Sequence, residues 1–189
     1  GIASVSQGLL QKIKSKGKLV NLIDKLDRSI KEKLYCDNSI ALGHTRWATH
    51  GNISHENAHP LTSEKKIAVV HNGIIENYEI LKKDLLTLGY NFESKTDTEV
   101  LPHLFMKYIK LGNDLLEAGR LVLKDIKGAF AFVAMSVDFP EQLFVSRNSS
   151  PLAIGLGDKA SFIGSDAHSI DHLTQRIVYL EDGDHALVK

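Results

Sequence analysis

The chain has 189 residues, 43% of them hydrophobic, with 23 Lys+Arg against 23 Asp+Glu and a single cysteine, Cys36. That length can bury one sizeable core, while the balanced charge speaks against a nucleic-acid partner or a membrane-surface role, both of which draw on a basic excess. No apolar run approaches the roughly 20 residues that span a bilayer, no signal-peptide pattern opens the chain, and one cysteine excludes an internal disulfide, which fits a reducing, cytosolic setting.

The chain opens on a strand-like apolar segment without an initiator methionine. It stops just after another such run, at Leu187-Val188-Lys189, so a longer parent chain is expected. Leu19, Leu22, Ile23, Leu26, Ile30 and Leu34 recur at three- and four-residue spacing and predict an amphipathic helix. Residues 39–44 read as a short strand. Residues 46–61 are polar, aperiodic and rich in histidine, a long loop of the kind that commonly carries function. Residues 67–71 read as a strand closed by Asn72-Gly73, and 76–88 as a helix stopped by Gly89. Thr96-Asp97-Thr98-Glu99 has the form of a capping box opening another helix, in which Pro102 must sit in the first turn or kink it. Asp114 starts a further helix with Leu115, Ala118, Leu121 and Val122 on its apolar side. Residues 128–137 are apolar almost throughout, the pattern of a strand covered on both faces. Short strands follow at 143–146, 152–155, 161–164, 177–180 and 185–188, separated by turn residues. Strands at both ends of a helical middle predict layered α+β packing.

The densest chemistry lies in Gly43-His44-Thr45-Arg46-Trp47-Ala48-Thr49-His50-Gly51, with the only tryptophan, an arginine and two histidines. A guanidinium there can grip a carboxylate through two parallel hydrogen bonds; an exposed loop with its arginine paired to a neighbouring acid is the plain alternative. Asn72-Gly73 is on one reading a hairpin turn. On the other it is an oxyanion hole, an amide and an adjacent backbone N–H aimed at one developing negative charge. Asp97 either favours a helix start or opposes a substrate ammonium, in which case Arg46 and Asp97 would hold the two ends of an amino acid. His44, His50, His55, His59 and His71 raise the question of zinc, but their spacings match no compact metal signature, so no metal is expected. Cys36 follows Lys33-Leu34-Tyr35 with no glycine turn or polar cradle, which suits a packing thiol better than a nucleophile.

The order of these pieces carries a resemblance. His44-Thr45-Arg46-Trp47-Ala48-Thr49-His50-Gly51 is followed by Asn57-Ala58-His59-Pro60, His71-Asn72-Gly73-Ile74-Ile75-Glu76-Asn77 and Thr96-Asp97-Thr98-Glu99. Ser146-Arg147, Ser150-Pro151-Leu152 and Glu181-Asp182-Gly183-Asp184 extend the series. Over essentially its whole length the chain resembles the glutaminase domain, a class II glutamine amidotransferase, of the glutamine–fructose-6-phosphate aminotransferase (isomerizing) family.

The resemblance implies an α+β fold, an N-terminal-nucleophile hydrolase-like four-layer αββα sandwich. It implies attack by an N-terminal cysteine on the glutamine side-chain amide, with its own α-amino group as base. A glutamyl thioester forms, ammonia leaves for glucosamine 6-phosphate synthesis, and water hydrolyses the thioester. By match of motif, Arg46 would hold the glutamine α-carboxylate, Asp97 the α-ammonium, and Asn72 and Gly73 would form the oxyanion hole. Trp47 would lie in the loop that closes over the site and directs ammonia toward the sugar domain; Thr49, His50 and His59 would support the pocket. No cofactor is implied. The implied partners are L-glutamine or L-glutamate, a sugar isomerase domain in the full-length protein, and a second copy in a homodimer formed largely through that domain. The family's opening Cys-Gly-Ile-Val-Gly and its Arg-Gly-Tyr-Asp-Ser motif are not in this sequence. The chain, residues 1–189, is therefore expected to be the glutaminase domain without its first strand and helix, and inactive alone. The glutaminase of another class II amidotransferase, such as the phosphoribosylpyrophosphate-dependent type or asparagine synthetase, and a non-catalytic glutamine- or glutamate-binding module are the alternatives. Arg46-Trp47-Ala48-Thr49-His50-Gly51 favours the aminosugar branch.

Overall fold

The computed structural model describes residues 1–31, 40–46, 52 and 54–189. A hairpin comes first: β1 (Ile2–Ser6) turns through Gln7-Gly8, both at positive φ, into β2 (Leu9–Ile13). Then come α1 (Leu19–Lys31), β3 (Ala41–Gly43), β4 (Leu61–Ser63) and β5 (Ile67–Ile75). The helical middle is α2 (Tyr78–Thr87), a 3-10 turn at Asp97–Glu99, α3 (Val100–Lys110) and α4 (Leu115–Asp125). β6 (Gly128–Ser136), β7 (Phe139–Asn148), β8 (Ala153–Leu156), β9 (Ser161–Gly164), β10 (Ile177–Tyr179) and β11 (His185–Val188) complete the chain.

All strand pairing between these elements is antiparallel. Five strands form one sheet in the order β11-β7-β6-β5-β4, and two three-stranded sheets have the orders β2-β1-β3 and β10-β8-β9. Successive side chains of a strand point to opposite faces, and here both faces of the five-stranded sheet are buried. Ile67 and Val69 of β5, Phe130 and Phe132 of β6 and Phe144 of β7 join the core formed with α2, α3 and α4. Ala68, Val70, Ala131, Val133 and Val145 join a second core with Ala3 and Val5 of β1, Leu42 of β3 and Ile154 of β8. This double burial is why residues 128–136 read as a continuous apolar run. On the helical side Phe105 of α3 meets Phe132 and Phe144 edge-on, with ring centroids 6.1 and 5.6 Å apart, a favoured aromatic geometry. α4 comes close enough that a Cβ on its Gly119 would lie 2.2 Å from the Phe144 ring.

The free edges of β3 and β9 border one groove. Each is the last strand of its small sheet, and among the described residues neither free edge is paired. Leu42 and Gly43 form one wall, Phe162 and Ile163 the other, and Val70 and Val133 contribute to its lining from the five-stranded sheet. α1 packs less fully than its spacing predicts: Leu22 is buried, while Leu19, Ile23 and Ile30 are exposed. No described helix is long and apolar enough to cross a membrane.

Several local expectations change in the folded chain. β2 and β4 had no clear signal of their own. Asn72-Gly73 is not a turn: β5 runs through it to Ile75, with Asn72 opposite Ala131 and Gly73 opposite Phe130 of β6. Glycine makes this possible, since Gly73 has φ +117° and a Cβ there would lie 2.1 Å from the Ala129 carbonyl oxygen. The capping box over 96–99 does not form, because its side chains are committed elsewhere. Asp97 accepts from the Ile75 N–H at 2.7 Å, Thr98 bonds His71 at 2.8 Å, and Glu99 accepts from the N–H groups of Glu93 and Ser94 at 2.8 and 2.7 Å. Pro102 does sit in the first turn of α3. Gly89 ends α2 at φ +88°, and Asp114 caps α4 by accepting from the Glu117 N–H at 2.8 Å.

Candidate functional site

The site is built where β3 ends beside the middle of β5. His44 continues the β1–β3 ladder: its N–H donates to the Gly1 carbonyl at 3.0 Å, and the Gly1 nitrogen donates to the His44 carbonyl at 2.8 Å. This fixes the backbone from which the imidazole reaches across to the adjacent sheet. Its Nε2 lies 2.9 Å from Asn72 Oδ1, and its Nδ1 accepts from the Arg46 N–H at 2.8 Å. Arg46 has φ +23°, outside the regions an L-residue favours. Its Nη1 donates to the Asn52 carbonyl at 3.4 Å, and that carbonyl also accepts from Asn57 Nδ2 at 2.9 Å.

Behind this front rank lies a buried polar layer. The His59 ring packs at 4.5 Å between centroids from His44, and His59 Nδ1 accepts from the His71 N–H at 3.4 Å. His71 Nδ1 meets Thr98 Oγ1, which places β5 and the 3-10 turn in register. Asp97, only 3% exposed, completes the layer. Burial of the guanidinium lowers the pKa of Arg46, and the charge of Asp97 partly opposes that by favouring the cation. Burial lowers the pKa of His44, His59 and His71 alike, and for His59 the neighbouring His44 and His71 add to the effect. The cluster therefore favours neutral imidazoles at neutral pH. Among the described residues no group of three or more His, Cys, Asp or Glu is arranged to hold a metal ion.

The result is a cavity of about 520 Å³ with His44, Arg46, His71 and Asn72 in its wall and apolar Val70 and Val133 beside them. It combines a cation for a carboxylate, an exposed amide and an apolar lining, the composition expected of a site for a small polar molecule. Of the residues singled out in the sequence, Arg46 and Asn72 line this cavity together. Gly73 follows Asn72 on β5, His59 lies behind His44, and Asp97 acts from the layer beneath. Trp47, Thr49, His50 and Cys36 lie outside the described residues. Sequence reasoning gave no site role to His44, His71 or Thr98. The first two flank motif residues, two positions before Arg46 and one before Asn72, but their contacts join segments far apart in the chain.

Comparison with known proteins places the chain in a family. The glutamine amidotransferase domain family matches residues 7–182. The glutamine–fructose-6-phosphate aminotransferase [isomerizing] of Fusobacterium nucleatum is 47% identical over 189 residues, covering 100% of this chain and 30% of the relative. The enzyme of the same name from Bartonella quintana is 44% identical over 188 residues, again covering 100% of this chain and 30% of the relative. The chain thus spans 30% of the length of these curated relatives. Among solved structures, glutamine phosphoribosylpyrophosphate amidotransferase from B. subtilis, complexed with ADP and GMP, superposes with a TM-score of 0.73 at 26% identity, covering 98% of this chain and 40% of that one. A structure described as the allosteric regulatory enzyme of purine biosynthesis gives a TM-score of 0.75 at 28% identity, with the same coverage. The expected N-terminal-nucleophile amidotransferase fold is the fold found, and the chain belongs to the glutamine amidotransferase domain family.

Proposed function

We propose that this chain is the glutamine-binding and glutamine-hydrolysing domain of a cytosolic, homodimeric glutamine–fructose-6-phosphate aminotransferase. In it, ammonia released from glutamine passes to a sugar isomerase domain elsewhere in the full-length protein. The observation that carries the reading is the meeting of Arg46 and Asn72 in one cavity, with Asp97 acting on Arg46 from beneath. Arg46 holds the α-carboxylate of glutamine and Asp97 its α-ammonium, a charge clamp at one end of the ligand. At the other end the Asn72 amide and the Gly73 N–H meet the oxyanion that forms when a thiolate adds to the amide carbon. Collapse of that adduct breaks the C–N bond, expels ammonia and leaves a glutamyl thioester, which water hydrolyses to glutamate and free thiol. His59 supports the wall from behind; by match of motif Thr49 and His50 would support the pocket as well, and Trp47 would direct ammonia toward the sugar domain.

The nucleophilic cysteine stands, on this reading, on a strand seated in the groove between β3 and β9. The backbone edges on both sides of that groove, unpaired among the described residues, support it, since exposed edges template a further strand. The 47% identity with an aminosugar enzyme, against 26% with the phosphoribosylpyrophosphate type, supports the aminosugar branch.

Calorimetry with L-glutamate tests the clamp directly. The chain should bind it, and Arg46→Ala should weaken binding by at least tenfold, as loss of a charge-assisted pair predicts. Absence of binding by the folded wild-type chain would remove the proposal. A glutamate-release assay then compares the chain alone with one extended upstream to an N-terminal cysteine: turnover is expected only in the second.

A further inference from the structure

The hydrogen bonds around one imidazole determine more than the position of a ring. The Arg46 backbone N–H can only donate, so His44 Nδ1, 2.8 Å away, must be the unprotonated acceptor. A neutral imidazole in that state carries its proton on Nε2. Nε2 faces Asn72 at 2.9 Å, so the atom it meets must be the acceptor of that amide, Oδ1. The choice of oxygen over nitrogen at Asn72 is thus fixed by a backbone N–H two residues from His44. With Oδ1 occupied, the Asn72 NH₂ is turned the other way. No described residue of the chain accepts from it, and Asn72 is exposed beside the cavity.

We propose that His44 is the positioning residue of the site, a neutral Nε2–H tautomer that accepts from the Arg46 backbone with one ring nitrogen and with the other orients the Asn72 amide so that its NH₂ faces the ligand's reacting carbonyl oxygen. One side chain thereby links the two ends of the ligand site: the turn that presents the guanidinium, and the donor for the oxyanion. The 4.5 Å packing of the His59 ring against His44 limits rotation of the imidazole, and burial disfavours the imidazolium. A protonated ring would place a second donor against the Arg46 N–H and break the arrangement. The inference rests on the proposed role of Asn72 as an oxyanion donor, although the tautomer stands independently of it.

Two measurements test the inference and keep its failure separate from that of the functional proposal. The first is the ¹⁵N spectrum of the His44 ring in the wild-type chain, with no ligand added. A protonated Nε2 and bare Nδ1 are expected; the opposite tautomer, or an imidazolium at pH 7.5, would overturn the inference whether or not glutamine is the ligand. The second is the affinity of two variants for L-glutamate and for L-2-aminobutyrate, which keeps the α-amino acid end but has no side-chain carboxylate. His44→Asn retains an acceptor near Nδ1 and loses the donor near Nε2, so its loss for glutamate, on the order of tenfold, should exceed its loss for aminobutyrate. His44→Gln retains a donor near Nε2 and loses the acceptor, so it should weaken both ligands by a similar factor and keep the preference for glutamate. Equal losses for both ligands in both variants would mark His44 as merely structural and sink the inference. If the wild type binds neither ligand while the Nε2–H tautomer is observed, the glutamine reading fails and the link between His44, Arg46 and Asn72 survives.

Discussion

At Gly73 the sequence offered two meanings, and the fold removes one of them, the turn. Asn-Gly is a strong hairpin signal, yet here the pair lies within β5, with Gly73 at φ +117° facing the Ala129 carbonyl of β6. A side chain at this point meets both a strained backbone and a fixed neighbour. Gly73→Ala should therefore cost roughly 3 kcal/mol, combining the backbone penalty with overpacking. Gly89→Ala is the control, because Gly89 has a similar sign of φ (+88°) but open space around it; about 1 kcal/mol is expected there. Urea unfolding midpoints of the two variants decide the point, and equal losses would mean that the Ala129 contact is unimportant. The residue types at the candidate site were legible in the sequence. Their contacts were not, because His44 to Asn72 and Ile75 to Asp97 are hydrogen bonds between segments 28 and 22 positions apart.

The elements that the sequence specified most clearly are those whose signals are local. α4 begins at an aspartate that caps it, α2 ends at a glycine, and β6 matches its apolar run. β4 is the opposite case: three residues long, it exists because Leu61, Thr62 and Ser63 pair with the edge of β5. α1 forms where the periodicity puts it but buries little of its apolar stripe, so pattern alone overstated its packing. Helix propensity can also mislead about a substitution. In an exposed helix interior, replacing Gly with Ala gains about 1 kcal/mol. At Gly119 the new methyl group would lie 2.2 Å from Phe144, in the contact that sets how closely α4 lies on β7. Gly119→Ala should destabilise the chain by about 1–3 kcal/mol despite its better propensity, with the thermal midpoint lowered. A raised midpoint would show that α4 shifts outward without cost.

For the molecule as a whole, the buried histidines make stability depend on pH. His59 and His71 are 5% and 4% exposed, and burial lowers both of their folded-state pKa values. In the unfolded chain each titrates near the ordinary histidine value, about 6.5. Near and below that pH the unfolded state binds protons that the folded state refuses, so this contribution to stability is complete only well above about pH 6.5 and is lost as the pH falls through that point toward the folded values. The slope approaches 1.4 kcal/mol per pH unit for each histidine. Between pH 6.5 and 5.5 the pair should account for a loss of about 2 kcal/mol, because each is already half-titrated in the unfolded chain at the upper limit. Urea unfolding at pH 7.5, 6.5 and 5.5 measures the total, and His59→Gln should remove about half of this histidine share. A pH dependence unchanged by that substitution would refute the assignment.

Read alone, the sequence determined the α+β class, most helices and strands, the family and the residue types at the site. These depend on periodicity, caps and ordered motifs, which are properties of neighbours along the chain. Tertiary structure decided that the five-stranded sheet is buried on both faces and that β3 and β9 border a groove with edges that are free among the described residues. It also decided that His44 joins the Arg46 turn to Asn72. Those facts depend on which strands lie side by side, and strand order is set by the summed burial of the whole chain rather than by any local run of residues.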